Sequence, residues 1–211
     1  MQYEWKLHAY VLMKNHFHLA IETPMPNLVE GMHWLQSTLA TRFNRFRKER
    51  GHLMQERYQS VLVEDFSTLG RVVDYIHLNP VRARVIEPEQ VGAYRWSSLV
   101  RFMRGGSFSG LTALDWMGVA SRGVDARSWS EYEQHLIAVG KDEAQWERRG
   151  LVGLSKGWAL GTQGWRKALA EDHAQQCLSV GLERQESREL KEGAWGPGIE
   201  RCVERCGQDD G

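Results

Sequence analysis

The sequence predicts an α+β protein in which helices cover an antiparallel sheet. The hydrophobic pattern of the first 79 residues alternates between a two-residue period and a three-to-four-residue period, in the order strand, strand, helix, strand, helix. Of the 211 residues, 42% are hydrophobic and 26% are charged, which is typical of a folded globular protein rather than a disordered one. Residues 110–176 show the pattern of several short helices.

Two strands are predicted at 6–13 and 16–22, joined by a short turn at Lys14-Asn15. Because side chains alternate along a strand, the apolar residues of the second strand share one face, and His16 and His18 share the other. The first face is predicted to be core. The second face presents two imidazoles side by side.

An amphipathic helix is predicted at about 27–48, because apolar residues recur there at three- and four-residue steps. Asn27 is a suitable N-cap, and Glu30 stands three residues later, as in a capping box. Gly51 ends this helix, and a further strand is predicted at 58–64.

A second helix is predicted from Ser67, as its N-cap, to Asn79. Pro80 ends it, because the residue before a proline avoids the helical region. Tyr75 and Asn79 are i,i+4 neighbours on the flank of the apolar stripe. The stripe consists of Leu69, Val72, Val73 and Ile76.

These polar positions suggest a phosphoryl-transfer site. Two imidazoles, an amide oxygen and open water positions suit Mg²⁺ or Mn²⁺ and leave room for a phosphate. A tyrosine hydroxyl is a weak nucleophile at neutral pH, and a metal that polarises the phosphate compensates for this weakness. Taken singly, a His-x-His pair is a weak signal, and Tyr75 and Asn79 have structural explanations at a core edge and a helix end. Their combination favours a catalytic site.

Three motifs carry a resemblance to a known family. M-K-N-H-F-H-L-A-I-E-T-P, then L-N-P-V-R-A after Y-I-H, then W-S-S, in this order and spacing, resemble the REP-associated tyrosine transposases, a branch of the single-tyrosine HUH transposases. The resemblance covers about residues 3–100. It implies a ferredoxin-like βαββαβ sheet, and nicking and joining of single-stranded DNA beside small hairpins through a 5′-phosphotyrosine intermediate.

Carried over by position, the resemblance makes Tyr75 the nucleophile, His16 and His18 the HUH pair, and Asn79 the third ligand of the Mg²⁺ or Mn²⁺ ion. Arg82 lies in the matched L-N-P-V-R-A motif, where it could contact DNA or brace the helix end.

Further DNA contacts are predicted from charge alone. The first 110 residues carry 14 Lys and Arg against 10 Asp and Glu, and this excess concentrates between Arg42 and Arg57. Such a cluster fits a phosphate-binding face and equally a solvated helix end. On this basis Arg42, Arg45 and Arg57 are candidate contacts to the DNA backbone.

The sequence departs from the family pattern at three places. Lys14 and Arg84 stand where members usually have Pro and Gly, respectively. The chain also begins at what corresponds to the second strand of the family, so the first strand and helix are predicted to be absent. We expect such a sheet, with helices on one face, to expose an edge, recruit another segment or fold poorly.

Composition divides the chain into three regions. A catalytic domain is predicted at 1–104, a helical C-terminal region at 105–180, and a polar, Gly-rich tail at 181–211 that we expect to be disordered. The middle region is either a DNA-binding module or a scaffold for the catalytic domain. No apolar run is long enough to span a bilayer, so we expect a cytoplasmic protein without a membrane partner, as a monomer or a homodimer.

Two other functions remain open at this point. A truncated or domesticated relative could bind DNA hairpins without catalysis. A metal-dependent hydrolase could use water, with Tyr75 only structural. Tyr58 is a second candidate nucleophile, but it lies on a strand without a metal-ligand neighbour at helical spacing.

Overall fold

A computed structural model describes residues 3–54, 58–106, 110–119, 125–151, 154, 157–179 and 200–205. They form a mixed fold of strands and helices, which confirms the predicted α+β class. The elements in chain order are β1 (Lys6–Leu12), β2 (Phe17–Thr23), α1 (Leu28–Arg47), β3 (Gln59–Val63), α2 (Phe66–Arg82), a 3-10 helix (Pro88–Ala93), α3 (Ser98–Met103), α4 (Leu114–Val119), α5 (Ala126–Gly140), α6 (Glu143–Arg148), β4 (Ala159–Leu160), α7 (Gln163–Ser179) and β5 (Glu200–Arg205).

The sheet has the order β1-β2-β5-β3-β4. β5 runs antiparallel to β2 on one side and to β3 on the other, and β4 pairs with β3 in parallel. Residues 200–205 belong to the tail predicted to be disordered, yet their backbone forms an interior strand. The strand order therefore places a segment from the C-terminal part of the chain between β2 and β3. Residues 181–199 and 206–211 lie outside the described part of the chain.

Helices pack on both faces of the sheet. On one face, the apolar side chains of β2 form a cluster with Leu28 and Met32 from the first turns of α1. On the other face, Ala20 of β2 joins a larger cluster that includes α2 and α5. The prediction of helices on one face differs from this arrangement because β2 is buried on both sides, and the small Ala20 lets α2 approach. The alternation predicted for β2 is confirmed.

The bounds of α1 agree with the predicted 27–48, but its N-terminus differs. Asn27 precedes the helix and makes no side-chain capping bond. Its Oδ1 instead accepts a hydrogen bond from Trp5 Nε1 at 2.8 Å, so the predicted capping box with Glu30 is wrong. The Trp5 ring lies against Gly31, where a Cβ would overlap it. Beyond its buried first turns, α1 exposes large side chains, namely Trp34, Leu39, Phe43 and Phe46.

Both ends of α2 differ from the prediction. Asp65, rather than Ser67, caps the helix, and its Oδ1 accepts from the Thr68 amide at 2.7 Å. The helix also continues past Asn79 through Pro80 to Arg82. A proline this close to the C-terminus removes a single backbone donor, which the capping turn described below offsets.

The segment after Arg82 packs closely on α2. The amide of Arg84 bonds to Val81 O at 2.9 Å, and the amide of Val85 bonds to Pro80 O at 2.9 Å. This pair of bonds is a Schellman motif, which requires a left-handed residue after the helix. Arg84 fills that position with φ 54°, a left-handed conformation that Gly adopts at lower cost.

The predicted helical C-terminal region contributes to the same core as the first 104 residues. Trp129 of α5 stacks on Phe102 of α3 with ring centroids 4.8 Å apart, and Tyr132 and Leu136 of α5 are fully buried. One hydrophobic cluster therefore crosses the predicted boundary at residue 104. Among the described residues, none of the helices is both long enough and apolar enough to span a membrane.

Candidate functional site

The hairpin between β1 and β2 positions the two histidines. The amide of Met13 bonds to His16 O at 2.8 Å and closes the turn, so His16 stands just before β2 and His18 follows one pleat later. The His16 ring is half-buried, and its Nδ1 lies 2.8 Å from Asn15 Oδ1. The His18 ring is buried, with 1% exposure. The two rings meet edge to face, with centroids 5.1 Å apart.

Helix α2 carries Tyr75 and Asn79 toward this hairpin. The predicted apolar stripe of α2 is buried against the sheet, which fixes the rotation of the helix about its axis. Tyr75 and Asn79 are themselves 3% and 6% exposed. At its other end, the helix is held by the Asp65 cap, and the hydrogen bond from the Thr68 amide lowers the pKa of that carboxyl.

Three of the predicted site residues contact one another across the β2–α2 interface. The amide Nδ2 of Asn79 lies 2.9 Å from His18 Nε2. The rings of His18 and Tyr75 meet edge to face, with centroids 5.6 Å apart. His16 adjoins His18 on the outer side. A phenol ring, two imidazoles and an amide thus occupy one small region.

Arg82 belongs to the same region, whereas Arg42 and Arg45 do not. Its guanidinium lies 5.3 Å from the centroid of the Tyr75 ring. Arg42 and Arg45 are exposed on α1, which packs on the opposite face of the sheet. Arg57 lies outside the described residues. The motif therefore predicted an arginine beside Tyr75, whereas charge predicted two arginines on the other face of the sheet.

The second candidate nucleophile lies on the wrong face. Tyr58 packs against the cluster formed by Phe17, Leu19 and Ile21, on the α1 side of the sheet. His18 and Tyr75 are on the α2 side. The sheet therefore separates Tyr58 from the histidines, in agreement with its low rank from sequence.

A buried polar network behind α2 was not predicted. Two residues after Tyr75, His77 is 1% exposed and lies between Ser98 of α3 and Tyr132 of α5. Its Nε2 is 2.8 Å from Ser98 Oγ, and its Nδ1 is 3.0 Å from Tyr132 Oη. Tyr132 Oη in turn donates to Asp74 Oδ1 at 2.9 Å. His135 Nε2 lies 3.1 Å from the other oxygen of that carboxylate.

The proton positions in this network follow from the number of donors. Burial lowers the pKa of His77 to about 3, against the opposing charge of Asp74, so the imidazole is neutral at pH 7. A neutral imidazole has one donor and one acceptor. Tyr132 uses its only hydrogen on Asp74, so His77 Nδ1–H donates to Tyr132 Oη. His77 Nε2 then accepts from Ser98 Oγ, whose alternative acceptor, the Tyr10 carbonyl, is farther away at 3.2 Å.

The motifs Y-I-H and W-S-S contained the signal for this network. They carry His77 and Ser98, which are 21 positions apart in the chain. Neither residue type indicates a partner by itself, and Tyr132 lies a further 34 positions beyond Ser98, outside the region of resemblance. A histidine on the inner face of an amphipathic helix indicates only that some buried partner is present.

Comparison with known proteins gives one match. Residues 1–79 match the model of a protein family described as "Transposase IS200 like". The match covers over a third of the chain and contains His16, His18, Tyr75 and Asn79. No curated protein and no solved structure matches the chain significantly. The N-terminal segment is therefore similar to IS200-like transposases.

Proposed function

We propose that this protein is a DNA transposase of the HUH type, which nicks and joins single-stranded DNA at hairpin-associated sites through a phosphotyrosine at Tyr75. One observation carries the proposal, namely the contact of Asn79 with His18 Nε2 beside the Tyr75 ring. The likeness of residues 1–79 to IS200-like transposases supports DNA as the substrate. The REP-associated subtype and the hairpin preference rest on the sequence motifs.

The side chains present suit a divalent metal ion. Asn79 Nδ2 lies 2.9 Å from His18 Nε2, and turning the amide over would put Oδ1 at that position, close to the separation of about 3.0 Å between adjacent ligands of an octahedral ion with bonds of about 2.1 Å. His18 and His16 would supply imidazole nitrogens, and Asn79 would supply Oδ1 from the same amide. Mg²⁺ or Mn²⁺ bound there would polarise a phosphate and stabilise charge in the transition state.

Tyr75 carries the chemical step in this proposal. Its Oη forms a bond to phosphorus as the bond from phosphorus to the 3′ oxygen breaks, and the phenolic proton is lost to solvent or to the leaving oxygen. The product is a 5′-phosphotyrosine and a free 3′-hydroxyl. Because the phosphodiester energy is retained, a second 3′-hydroxyl can reverse the step and join a new strand. Arg82 places a permanent positive charge beside the reacting phosphate.

The DNA outside the active site is proposed to contact α1. This helix combines the exposed cations Arg42 and Arg45 with the exposed aromatic rings of Trp34, Phe43 and Phe46, the last being 84% exposed. Single-stranded DNA is typically bound by cations that follow its backbone and aromatic rings that stack on its bases. Arg57 is proposed to extend this surface on the basis of its charge.

One observation favours the alternative of a non-catalytic hairpin binder. Tyr75 is only 3% exposed, so little of the residue is open to DNA in this conformation. Arg82, which is exposed and lies over the Tyr75 ring, is the side chain whose displacement would open the site. A binder would retain DNA affinity through α1 and form no covalent bond.

Covalent capture separates these functions. The full chain is incubated with single-stranded hairpin oligonucleotides from the flanks of its own gene, labelled at the 5′ or 3′ end, with and without Mn²⁺. We expect a metal-dependent protein–DNA adduct on a denaturing gel that disappears in Tyr75→Phe and in His18→Ala but persists in Tyr58→Phe. Binding without an adduct would support the binder instead. Cleavage that survives Tyr75→Phe would support a hydrolase that uses water.

A further inference from the structure

A second cluster of metal-ligand side chains lies on the α2 side of the sheet, away from His18. It consists of His8 on β1, Glu22 on β2 and Asp115 on α4. Glu22 and His18 share one face of β2 and are four residues apart, which corresponds to roughly 13 Å along a strand. The cluster is therefore separate from the site at His18 and Tyr75.

The backbone holds these three residues together independently of their side chains. The register between β1 and β2 shifts between Leu7 and Ala9, so the chain bulges at His8. The amide of Leu7 bonds to Gly110 O at 2.6 Å, and the amide of Thr112 bonds to Leu7 O at 2.9 Å. These bonds fix the segment that leads into α4 alongside β1. They bring Asp115 to the strand position that carries His8.

The spacing of the side-chain atoms suits a metal ion better than a hydrogen bond. His8 Nε2 lies 3.4 Å from Glu22 Oε2, beyond the usual hydrogen-bond length of about 2.7–3.2 Å. Two ligands with bonds of about 2.0–2.1 Å to a tetrahedral ion are about 3.3 Å apart. One ligand atom from each of the three residues lies within 4.8 Å of the other two.

Burial and charge add to this argument. His8 is fully buried, and Glu22 Oε2 is buried without a hydrogen bond from any described residue. Lys6 Nζ binds the other oxygen of Glu22 at 3.1 Å, which leaves Oε2 directed toward His8. Burial raises the pKa of Glu22, but Lys6 and His8 more than offset this, so the carboxyl is ionised at neutral pH. Asp115 is 32% exposed and gives an ion access from solvent.

We propose that His8, Glu22 and Asp115 form a structural site for a divalent transition metal, Zn²⁺ being the ion that their one nitrogen and two carboxylates best suit. Water completes the coordination on the exposed side of Asp115. The ion ties α4 to the first two strands and so anchors the C-terminal helices on the sheet. This site takes no part in the proposed DNA chemistry.

Zinc titration of the metal-free full chain tests the site. We expect isothermal calorimetry to detect a site whose affinity falls at least tenfold in Asp115→Asn and in Glu22→Gln. It should persist in the double variant His18→Ala/Asn79→Ala, which removes the proposed catalytic ligands. Glu131→Gln, an exposed acid on α5, is the matched control and should bind zinc as the wild type does.

A second measurement protects the test against misfolding. Zinc should raise the thermal midpoint of the wild type and of the His18→Ala/Asn79→Ala variant, and should leave that of Asp115→Asn unchanged. Because Asp115 is partly exposed, its amide variant should unfold at nearly the wild-type temperature without metal. Equal zinc affinity in the wild type and Asp115→Asn would overturn the proposal, as would loss of all zinc binding in the His18→Ala/Asn79→Ala variant. The outcome of the adduct assay affects neither result.

Discussion

His77 Nε2 lies 2.8 Å from Ser98 Oγ, and this contact joins the helix that carries Tyr75 to the start of α3. The same imidazole reaches Tyr132 on α5 through its other nitrogen. One face of α2 is therefore attached to two other helices, and the face toward β2 presents Tyr75 and Asn79 to His16 and His18. In this arrangement, residues outside the matched segment set the position of the candidate nucleophile.

The first prediction is that His77 positions α2 rather than reacting with DNA. His77→Leu removes both hydrogen bonds and leaves Ser98 and Tyr132 with altered partners in a buried region, so we expect it to destabilise the fold by about 2–4 kcal/mol. Urea unfolding measures this loss. At saturating DNA, the rate of adduct formation should fall while hairpin affinity changes little.

A purely structural defect would lower the rate of adduct formation and the hairpin affinity together. His77→Gln retains a donor and an acceptor and should recover part of the rate. His33→Leu, which changes an exposed histidine of α1, is the matched control and should leave both stability and rate unchanged. If His77→Leu weakened hairpin binding as much as it slowed adduct formation, the positioning role would be excluded.

The second prediction concerns stability against pH. Because burial lowers the pKa of His77 from 6.5 to about 3, the unfolded chain binds a proton at this residue that the folded chain does not. The stability that neutral His77 contributes is therefore fully present above pH 6.5 and is lost as the pH falls from 6.5 toward 3. The steepest slope is about 1.4 kcal/mol per pH unit.

Between pH 6.5 and 5, the protonation of His77 can be distinguished from that of the carboxyl groups, which titrate at lower pH. We expect the free energy of unfolding of the wild type to fall across this window more steeply than that of His77→Gln. Urea unfolding at half-unit steps of pH gives both slopes. Equal slopes would mean that His77 is accessible to protons in the folded chain.

The sequence was sufficient to predict those parts of the site that depend on one element at a time. Strand periodicity placed His18 opposite the apolar face of β2, and helical periodicity placed Tyr75 and Asn79 together on α2. Each of these predictions uses spacings of two to four residues.

Features that join distant segments were not predictable in the same way. Asn27 was expected to cap α1, but Trp5, 22 positions earlier, takes its side-chain oxygen. The β5 segment is polar and lacks a strand period that would distinguish it from a disordered tail. The positive charge around Arg42 and Arg45 was evident, but nothing local showed that α1 packs on the face opposite Tyr75.

The third prediction distinguishes Arg82 from the arginines of α1. Arg82→Ala removes a positive charge that lies 5.3 Å from the Tyr75 ring, so adduct formation at saturating DNA should slow about tenfold, and Arg82→Lys should recover part of that rate. Arg45→Ala should weaken hairpin binding and reduce its salt dependence without changing the rate at saturation. A rate unchanged in Arg82→Ala would restrict this residue to bracing the helix end.

The fourth prediction is that Arg84→Gly stabilises the protein. Arg84 has φ 54°, a left-handed conformation that costs a side-chain-bearing residue about 1 kcal/mol relative to Gly. The two backbone bonds of the Schellman turn do not involve its side chain, so they persist in the variant. We expect the thermal midpoint to rise by about 2–4 °C. Arg104→Gly, at a position where φ is negative, should not raise it, and a lower midpoint in Arg84→Gly would show that the arginine side chain stabilises the turn.

The fifth prediction tests whether β5 is an interior strand. Val203 is paired with Ala20 of β2 on one side and with Val61 of β3 on the other. Proline lacks a backbone donor and does not fit the interior of a sheet, so Val203→Pro should separate β2 from β3. We expect a loss of about 3 kcal/mol or more in the free energy of unfolding, and faster hydrogen exchange at the amides of both neighbouring strands.

Val203→Thr keeps the backbone donor and the branched side chain, and it serves as the control for the loss of a valine at this position. Since β2 carries His18, the proline variant should also lose adduct formation, whereas the threonine variant should retain it. Hydrogen exchange distinguishes a local effect from a general one, because the amides of α5 should stay protected if only the sheet opens. If exchange at β2 and β3 were the same in both variants, β5 would not be an essential part of the sheet. The two strands would then be held in place by the helices on either face.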